Sequence, residues 1–368
     1  MSGVSGHIVG ASPLAVWGLP SEARLRRQLA RAGVAPGAAA RPGERAVLLR
    51  ADWIYDQAIV RGLASAREDC ALVADTGEAV ALNVAAERLE EARAALSEGR
   101  APSFARAVGL VEIASSYDDK LRKRELPYLM PLTGATLPAA ERRIFGGAYK
   151  GVTDAITLYL WPAPARAATR FCAQRGITPN QVTFASLLLV LAAFWLFWRG
   201  SYWPGLLAAW AMTFLDTVDG KLARVTLQSS RFGDIFDHGI DLLHPPFWWW
   251  AWIVGLPAAG FSIAEPSLVL AAIVAGYVLQ RLEEGVFIAW FGMDMHTWRP
   301  FDSRFRLVTA RRNPNLVLLT VFLAAGRPDL GILAVAAWTV VSLLVHTVRV
   351  AQAALERRRG PLRSWLAS

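Results

Sequence analysis

D-T-V-D-G-K-L-A-R-V-T-L-Q-S-S-R-F-G-D-I-F-D-H-G-I-D, from Asp216 to Asp241, decides how this chain is read. Four carboxylates, Asp216, Asp219, Asp237 and Asp241, stand among the small residues Gly220, Ala223 and Gly233 at the adjoining ends of two long apolar segments. On a helix, Asp216, Asp219, Gly220 and Ala223 fall at offsets 0, 3, 4 and 7 and share one face. Gly233, Asp237 and Asp241 stand four apart on the next helix, and a turn around Thr226 to Ser230 would let the two faces meet. Ionised groups at a membrane face are costly without compensation. Hard divalent cations bound through oxygen, Mg²⁺ or Mn²⁺, are the natural remedy for four acids on matched faces. Such ions bind phosphates and stabilise charge on a transferring phosphoryl group, and Gly220 and Ala223 leave room for a nucleotide against the backbone. The competing reading, interfacial acids paired with Lys221, Arg224 and Arg231, suits one or two acids at a helix end better than four.

Outward from this stretch, composition divides the 368 residues. Residues 1–176 are mixed, rich in Arg and Glu, and lack a long apolar run. Beyond them come apolar runs near the length that crosses roughly 30 Å of hydrocarbon. Six spans are expected, at 178–198, 202–225, 230–256, 267–291, 313–326 and 329–352. Trp195, Trp198, Tyr202, Trp203, Trp248 to Trp250 and Trp252 mark the ends away from the acids, as interfacial aromatics do. Arg166, Arg170, Arg175, Lys221, Arg224, Arg231, Arg299, Arg304, Arg306, Arg311, Arg312, Arg357 to Arg359 and Arg363 line one set of flanks. The positive-inside rule then places both termini and the acids in the cytoplasm. The net charge of +9 follows mainly from this topology and gives no case for nucleic acid binding. The first 30 residues lack the apolar core of a cleavable signal peptide. Cys70 and Cys172 suit neither a disulfide nor a zinc site.

The polar part reads as α/β. Strands are expected at Ala46 to Leu49, Cys70 to Asp75, Ala79 to Val84 and Gly109 to Ala114. Helices are expected from Asp56 and over Ala85 to Glu98, with Asp118 to Arg124 a solvated helix face. An interfacial amphipathic helix is expected over 165–175.

The spacing D-x2-D-G-x2-A-R-x8-G-x3-D-x3-D, complete from Asp216 to Asp241, is similar to the signature of the CDP-alcohol phosphotransferases. The resemblance extends over 139–368, including T-P-N-Q-V-T at Thr178 to Thr183. The part ahead of it resembles a sugar-nucleotide nucleotidyltransferase domain, through P-L-A-V-W-G-L-P at Pro13 to Pro20, Arg24-Leu25-Arg26, A-G-V at Ala32 and A-D-W at Ala51. That arrangement is similar to bifunctional inositol-phosphate cytidylyltransferase/di-inositol-phosphate-phosphate synthases, as are Lys150 and Thr153-Asp154. Where that subgroup has N-R-P, this chain has Trp161-Pro162-Ala163-Pro164. Val9-Gly10-Ala11-Ser12 replaces the glycine-rich loop that grips a triphosphate, so the domain reads as degenerate and Asp52 as a structural strand-end residue.

The resemblance implies a fold and a reaction. The fold is an α/β nucleotidyltransferase-like soluble domain (1–138), juxtamembrane amphipathic helices (139–176) and an all-α six-helix transmembrane domain (177–368). The enzyme would be an integral membrane protein, commonly a homodimer. With Mg²⁺ or Mn²⁺ it would move a phosphoalcohol from a CDP-alcohol donor to a polyol, polyol phosphate or lipid acceptor and release CMP. Asp216, Asp219 and Asp237 would ligate metal, and Asp241 would be a ligand or the base that takes the acceptor proton, with Asp237 beside it in the catalytic set. Gly220, Ala223, Arg224 and Gly233 would shape the CDP site. Asn180 and Thr183 either line the nucleotide pocket or cap the first span. Arg299, Arg304, Arg311 and Arg312 are open to acceptor phosphate or to topological bias. His238 and His244 read as polar packing, and Arg281, Glu283 and Glu284 as a cavity-facing or internally paired set. Other function classes compatible with the acids are a divalent-cation transporter and a non-catalytic membrane scaffold.

Overall fold

A computed structural model describes residues 3–228 and 231–367, with the side chains of 231, 232, 234 and 237 outside the description. Ser229, Ser230 and the Asp237 carboxylate, all named above, therefore lie outside the described parts. The chain forms two compact units: Met1–Lys120 with Arg124–Tyr149 and Arg224–Leu227, and Leu121–Lys123 with Lys150–Ala223 and Gln228–Ser368.

The first unit is built on a six-stranded sheet. Val4–Val9 lies between Ala35–Pro36 and Arg45–Arg50, parallel to both. Ala79–Ala85 runs antiparallel to Arg45–Arg50 and to Cys70–Val73, and Arg106–Val108 pairs parallel with the latter at the edge. The apolar run Ala46 to Leu49 is fully buried, which requires both sheet faces to be covered. Alternation divides it: Val47 and Leu49 pack with Leu25 and Leu29 of α1 (Ser21–Arg31) and with Ile59, Val60 and Leu63 of α2 (Gln57–Ser65). Ala46 and Leu48 pack with Ala92 and Leu96 of α3 (Leu89–Ser97). Asp56 starts α2 by accepting from the Ala58 amide at 2.9 Å. Asp52, at the strand end, is held by Arg50 through two bonds of 3.0 and 2.6 Å.

Two expectations fail here. The stretch Gly109 to Ala114 is not a strand: the strand is Arg106–Val108, and Leu110–Ile113 turns as the short helix α4. Its apolar residues alternate well enough for either form, and packing decides. The Ile113 carbonyl oxygen sits 1.8 Å from where a Cβ on Gly62 would be, so the glycine in α2 admits the turn at close range. The charge run from Asp118 to Arg124 is not helical either; Tyr117–Asp118 and Lys123–Arg124 are short strands. Helix α5 (Leu137–Gly147) completes this unit.

The second unit is helical. After α6 (Pro162–Gln174), the expected interfacial helix, come α7 (Pro179–Trp198), α8 (Tyr202–Val225), α9 (Arg231–Gly255) and α10 (Pro266–Phe291). The short α11 (Pro300–Phe305), α12 (Arg312–Ala324) and α13 (Pro328–Arg357) follow. Six of these helices lie over the six expected spans, and among the described residues three of them, α7, α10 and α13, are long and apolar enough to cross a membrane.

The tryptophans depart from the expected belt. Trp195 and Trp203 are exposed, but Trp248, Trp249 and Trp252 are buried in the bundle with Phe197, Tyr202 and Leu316. A buried indole needs an acceptor. Trp248 Nε1 donates to the Val190 carbonyl at 3.0 Å and Trp252 Nε1 to the Pro328 carbonyl at 3.1 Å, which joins α9 to α7 and α13. Helix α9 also contains Pro245 and Pro246. Pro246 lacks the N–H that would bond the Leu242 carbonyl, and the Tyr277 hydroxyl of α10 supplies a donor there at 3.0 Å.

The contact between α7 and the end of α9 is equally close. A Cβ on Gly255 would lie 1.9 Å from the Phe197 carbonyl oxygen and 2.8 Å from the Gly200 nitrogen. Gly255→Ala should cost about 1–3 kcal/mol and lower the unfolding midpoint of the detergent-solubilised protein. A midpoint equal to wild type would show that this crossing is not tight.

Candidate active site

The acids of α8 and α9 reach a common cation. Arg312, the first residue of α12, donates from Nη2 to Asp216 Oδ2 at 2.5 Å and from Nη1 to Asp241 Oδ1 at 2.6 Å. A guanidinium is a rigid fork only a few ångströms across, so the two carboxylates converge on one small volume. Asp219, one turn beyond Asp216, is 3% exposed and accepts from the Thr183 hydroxyl at 2.6 Å. Thr183 thereby fixes α7 to α8. Its hydroxyl faces an acid, and the cap of α7 is made by Thr178 and Gln181. Asn180 is exposed. Gly220 and Ala223 follow the acids along α8, and Arg224 and Gly233 are partly buried. His244 takes the packing role expected of it: its ring nitrogen Nδ1 lies 2.7 Å from the Ile240 carbonyl, and the ring meets Trp248 edge-on.

This donor set is all oxygen, it sits on two helices, and two of its members already bracket a single positive group. It fits a hard divalent cation. Asp216, Asp219 and Asp241 are the described residues that would hold one.

A second polar cluster is joined to the first through Arg311, the residue before Arg312. Glu284 of α10 accepts from Arg281 Nη2 at 3.0 Å and from Arg311 Nη2 at 2.5 Å to each carboxylate oxygen. His296 Nε2 lies 3.3 Å from the same carboxylate. Glu284, His296 and His346 bring ligand atoms within 4.8 Å of one another, a spacing that would suit a metal ion. The charges do not suit one: two guanidinium groups already occupy the single carboxylate, and a third, Arg306, is buried near them. Burial, then the like charge of Arg311, pushes Arg306 down to about 9. Burial likewise holds the His296 imidazole below its usual value.

The cluster suits an oxyanion better. Arg306 Nε and Nη1, Arg281 Nε and Arg311 Nε are buried without a hydrogen-bond partner among the described residues. Buried donors of this kind are expensive unless a ligand or water takes them. Asp154 supports the cluster from the segment that precedes α6. Burial disfavours its charge, but Arg306 and hydrogen bonds from Thr157 and Asn313 outweigh that and hold the carboxyl below the usual range. The Asn313 Nδ2 bond is 3.0 Å and the Thr157 amide bond 3.0 Å.

Sequence reasoning placed Arg311 and Arg312 among candidate phosphate ligands and passed over Arg281 and Arg306 as phosphate ligands. Of the others in that group, Arg299 is paired with Glu356 and lies over the Trp298 ring, and Arg304 is exposed. The signal for Arg281 was present as a charge inside an apolar span. Arg306 had none beyond its place in a basic loop.

Removing Glu284 tests the electrostatics directly. Glu284→Ala leaves buried guanidinium groups facing one another, and breaking a buried pair this way costs about 3–5 kcal/mol. The variant should unfold well below wild type in detergent, and excess inorganic phosphate should restore part of the loss. Unchanged stability would mean that solvent screens the cluster.

Residues 176–299 match the CDP-alcohol phosphatidyltransferase family model. An archaetidylinositol phosphate synthase from Pyrococcus horikoshii is 42% identical over 72 residues, 19% of this chain and 38% of that protein. A phosphatidylinositol phosphate synthase from Mycobacteroides abscessus is 27% identical over 194 residues, covering 49% of this chain and 81% of that protein. One from Mycolicibacterium smegmatis is 27% identical over 207 residues, 52% and 86% of the two chains. The matched region contains Asp216, Asp219, Asp237 and Asp241, on the helices whose acids converge. Over residues 176–299, then, the chain carries a domain similar to the CDP-alcohol phosphatidyltransferases, the CDP-alcohol phosphotransferases of phospholipid synthesis.

Proposed function

We propose that the chain is an integral membrane enzyme that transfers a phosphoalcohol group from a lipid CDP-alcohol to a phosphorylated polyol and releases CMP. The observation that carries this reading is the meeting of Asp216 and Asp241 around one cationic group, within the matched region or beside it. The relatives' names point to inositol phosphate lipids as products, and the buried basic cluster supports an acceptor that brings its own phosphate.

Asp216, Asp219, Asp237 and Asp241 are the proposed metal ligands. Mg²⁺ or Mn²⁺ bound there would carry the donor diphosphate and offset charge on the transferring phosphoryl group. Gly220, Ala223, Arg224 and Gly233 are proposed to shape the CDP site; Thr183 supports it through Asp219, and Asn180 lies at its edge. Asp241 takes the proton of the acceptor hydroxyl, whose oxygen bonds to the β-phosphorus as the bond to the CMP oxygen breaks. Arg281, Arg306 and Arg311 hold the acceptor phosphate and so orient that hydroxyl. Six spans, with termini and site on the cytoplasmic side, are proposed from the basic flanks. A homodimer is proposed from the family resemblance. The first unit is proposed to be a degenerate nucleotidyltransferase-like domain, a reading that the held position of Asp52 supports.

The test incubates purified protein and Mg²⁺ or Mn²⁺ with a panel of CDP-donors, each with free and phosphorylated polyols, and scores CMP release. CMP release is expected with a lipid donor and a phosphorylated polyol, and Asp216→Asn or Asp241→Asn should lower it by about a thousand-fold. Arg311→Ala should raise the acceptor KM about ten- to a hundred-fold and leave the donor KM near wild type. No CMP from any pair, with folded protein, would overturn the assignment; equal effects of Arg311→Ala on both substrates would remove the acceptor site.

A further inference from the structure

Arg312 occupies an unusual position for an arginine beside proposed metal ligands. Its two terminal nitrogens take one oxygen each from Asp216 and Asp241, and its side chain is 15% exposed. It is delivered from a fixed point. The next residue, Asn313, is buried and donates from Nδ2 to Asp154 Oδ1 at 3.0 Å and to Thr157 Oγ1 at 3.2 Å. The oxygens it binds are the ones a divalent ion between those acids would need. A guanidinium and a divalent ion a few ångströms apart repel, and more strongly in a partly buried site, so the two compete for these ligands.

We infer that Arg312 is a built-in counter-ion: it fills the cation position between Asp216 and Asp241 while no divalent ion is bound, and the arriving ion displaces it. The inference rests on the reading of these acids as metal ligands. Its first consequence concerns folding. Without the ion, the guanidinium cancels repulsion between acids of adjacent helices, so α8 and α9 pack together before metal arrives. The second concerns affinity. The ion binds only the fraction of molecules whose arginine has swung away, and its apparent affinity falls by that fraction. A displaced guanidinium is then free for the oxyanions that the ion brings.

The opposite role is equally concrete. An arginine that merely held the two carboxylates in ligating geometry would strengthen metal binding, and its loss would weaken it. The sign of one affinity change therefore decides. Full-length protein in detergent is titrated with Mn²⁺ and free Mn²⁺ is read by electron paramagnetic resonance, for wild type, Arg312→Gln and Arg312→Lys. Breaking two charge-assisted hydrogen bonds corresponds to about a ten-fold or larger effect. Arg312→Gln should bind Mn²⁺ about ten-fold or more tightly than wild type, with Arg312→Lys between them. With chelator, Arg312→Gln should unfold below wild type, and Mn²⁺ should raise its midpoint by more.

Equal or weaker Mn²⁺ binding by a helical, monodisperse Arg312→Gln protein overturns the inference and leaves the metal reading standing. Should the glutamine variant fail to fold, the lysine variant decides by the same sign. A wild-type protein that binds no Mn²⁺ would instead remove the metal reading, and the inference with it.

Discussion

Charge compensation inside an apolar bundle is the constraint on which this molecule depends. Helices α8 and α9 bury Tyr202, Trp248, Trp249 and Trp252 toward one end and carry acids toward the other. Tryptophan and tyrosine satisfy their polar atoms on carbonyls of neighbouring helices, which fixes where α7, α9 and α13 meet. With those crossings set, Asp216 and Asp241 have no freedom to avoid each other. A cation must stand between them, and the arrangement around Arg312 shows how small the space is.

Two adjacent residues link the two halves of the site. Arg311 caps α12 with extended backbone and Arg312 is its first helical residue, so the two neighbouring side chains leave the chain in different directions. One reaches Glu284 and the basic cluster, the other the acids of α8 and α9. An acidic subsite suited to a metal-bound diphosphate and a basic subsite suited to a free phosphate are thus anchored by the same helix start. Asp154, from the segment that precedes α6, holds that start in place through Asn313. The group to be transferred and the hydroxyl that receives it would meet where these subsites adjoin.

Much of the site was legible because its signal is local. The acids repeat at helical spacing within 26 residues, Asp216 to Asp241, and amphipathic faces follow from period alone. The helices of the second unit were legible for the same reason, with α7, α10 and α13 marked by long apolar runs. What escaped depends on contacts between distant residues. Arg312 lies 71 residues from Asp241 and 96 from Asp216, so its bridging position has no trace in local pattern. The buried tryptophans looked interfacial because composition cannot tell a bundle interior from a lipid boundary when both are apolar. In the α/β unit, the fully buried Ala46 to Leu49 run was unmistakable, but Leu110–Ile113 became helical through its approach to Gly62, a tertiary effect on an ambiguous apolar alternation.

The central claim is that the acids of α8 and α9 form one divalent-cation site. Anomalous scattering from Mn²⁺ in crystals of the intact protein tests it most directly. The account predicts manganese between Asp216 and Asp241, within ligating reach of Asp219, with the Arg312 guanidinium moved off both carboxylates. Manganese bound at Glu284, His296 and His346 instead, with Arg312 still bridging Asp216 and Asp241, would contradict it.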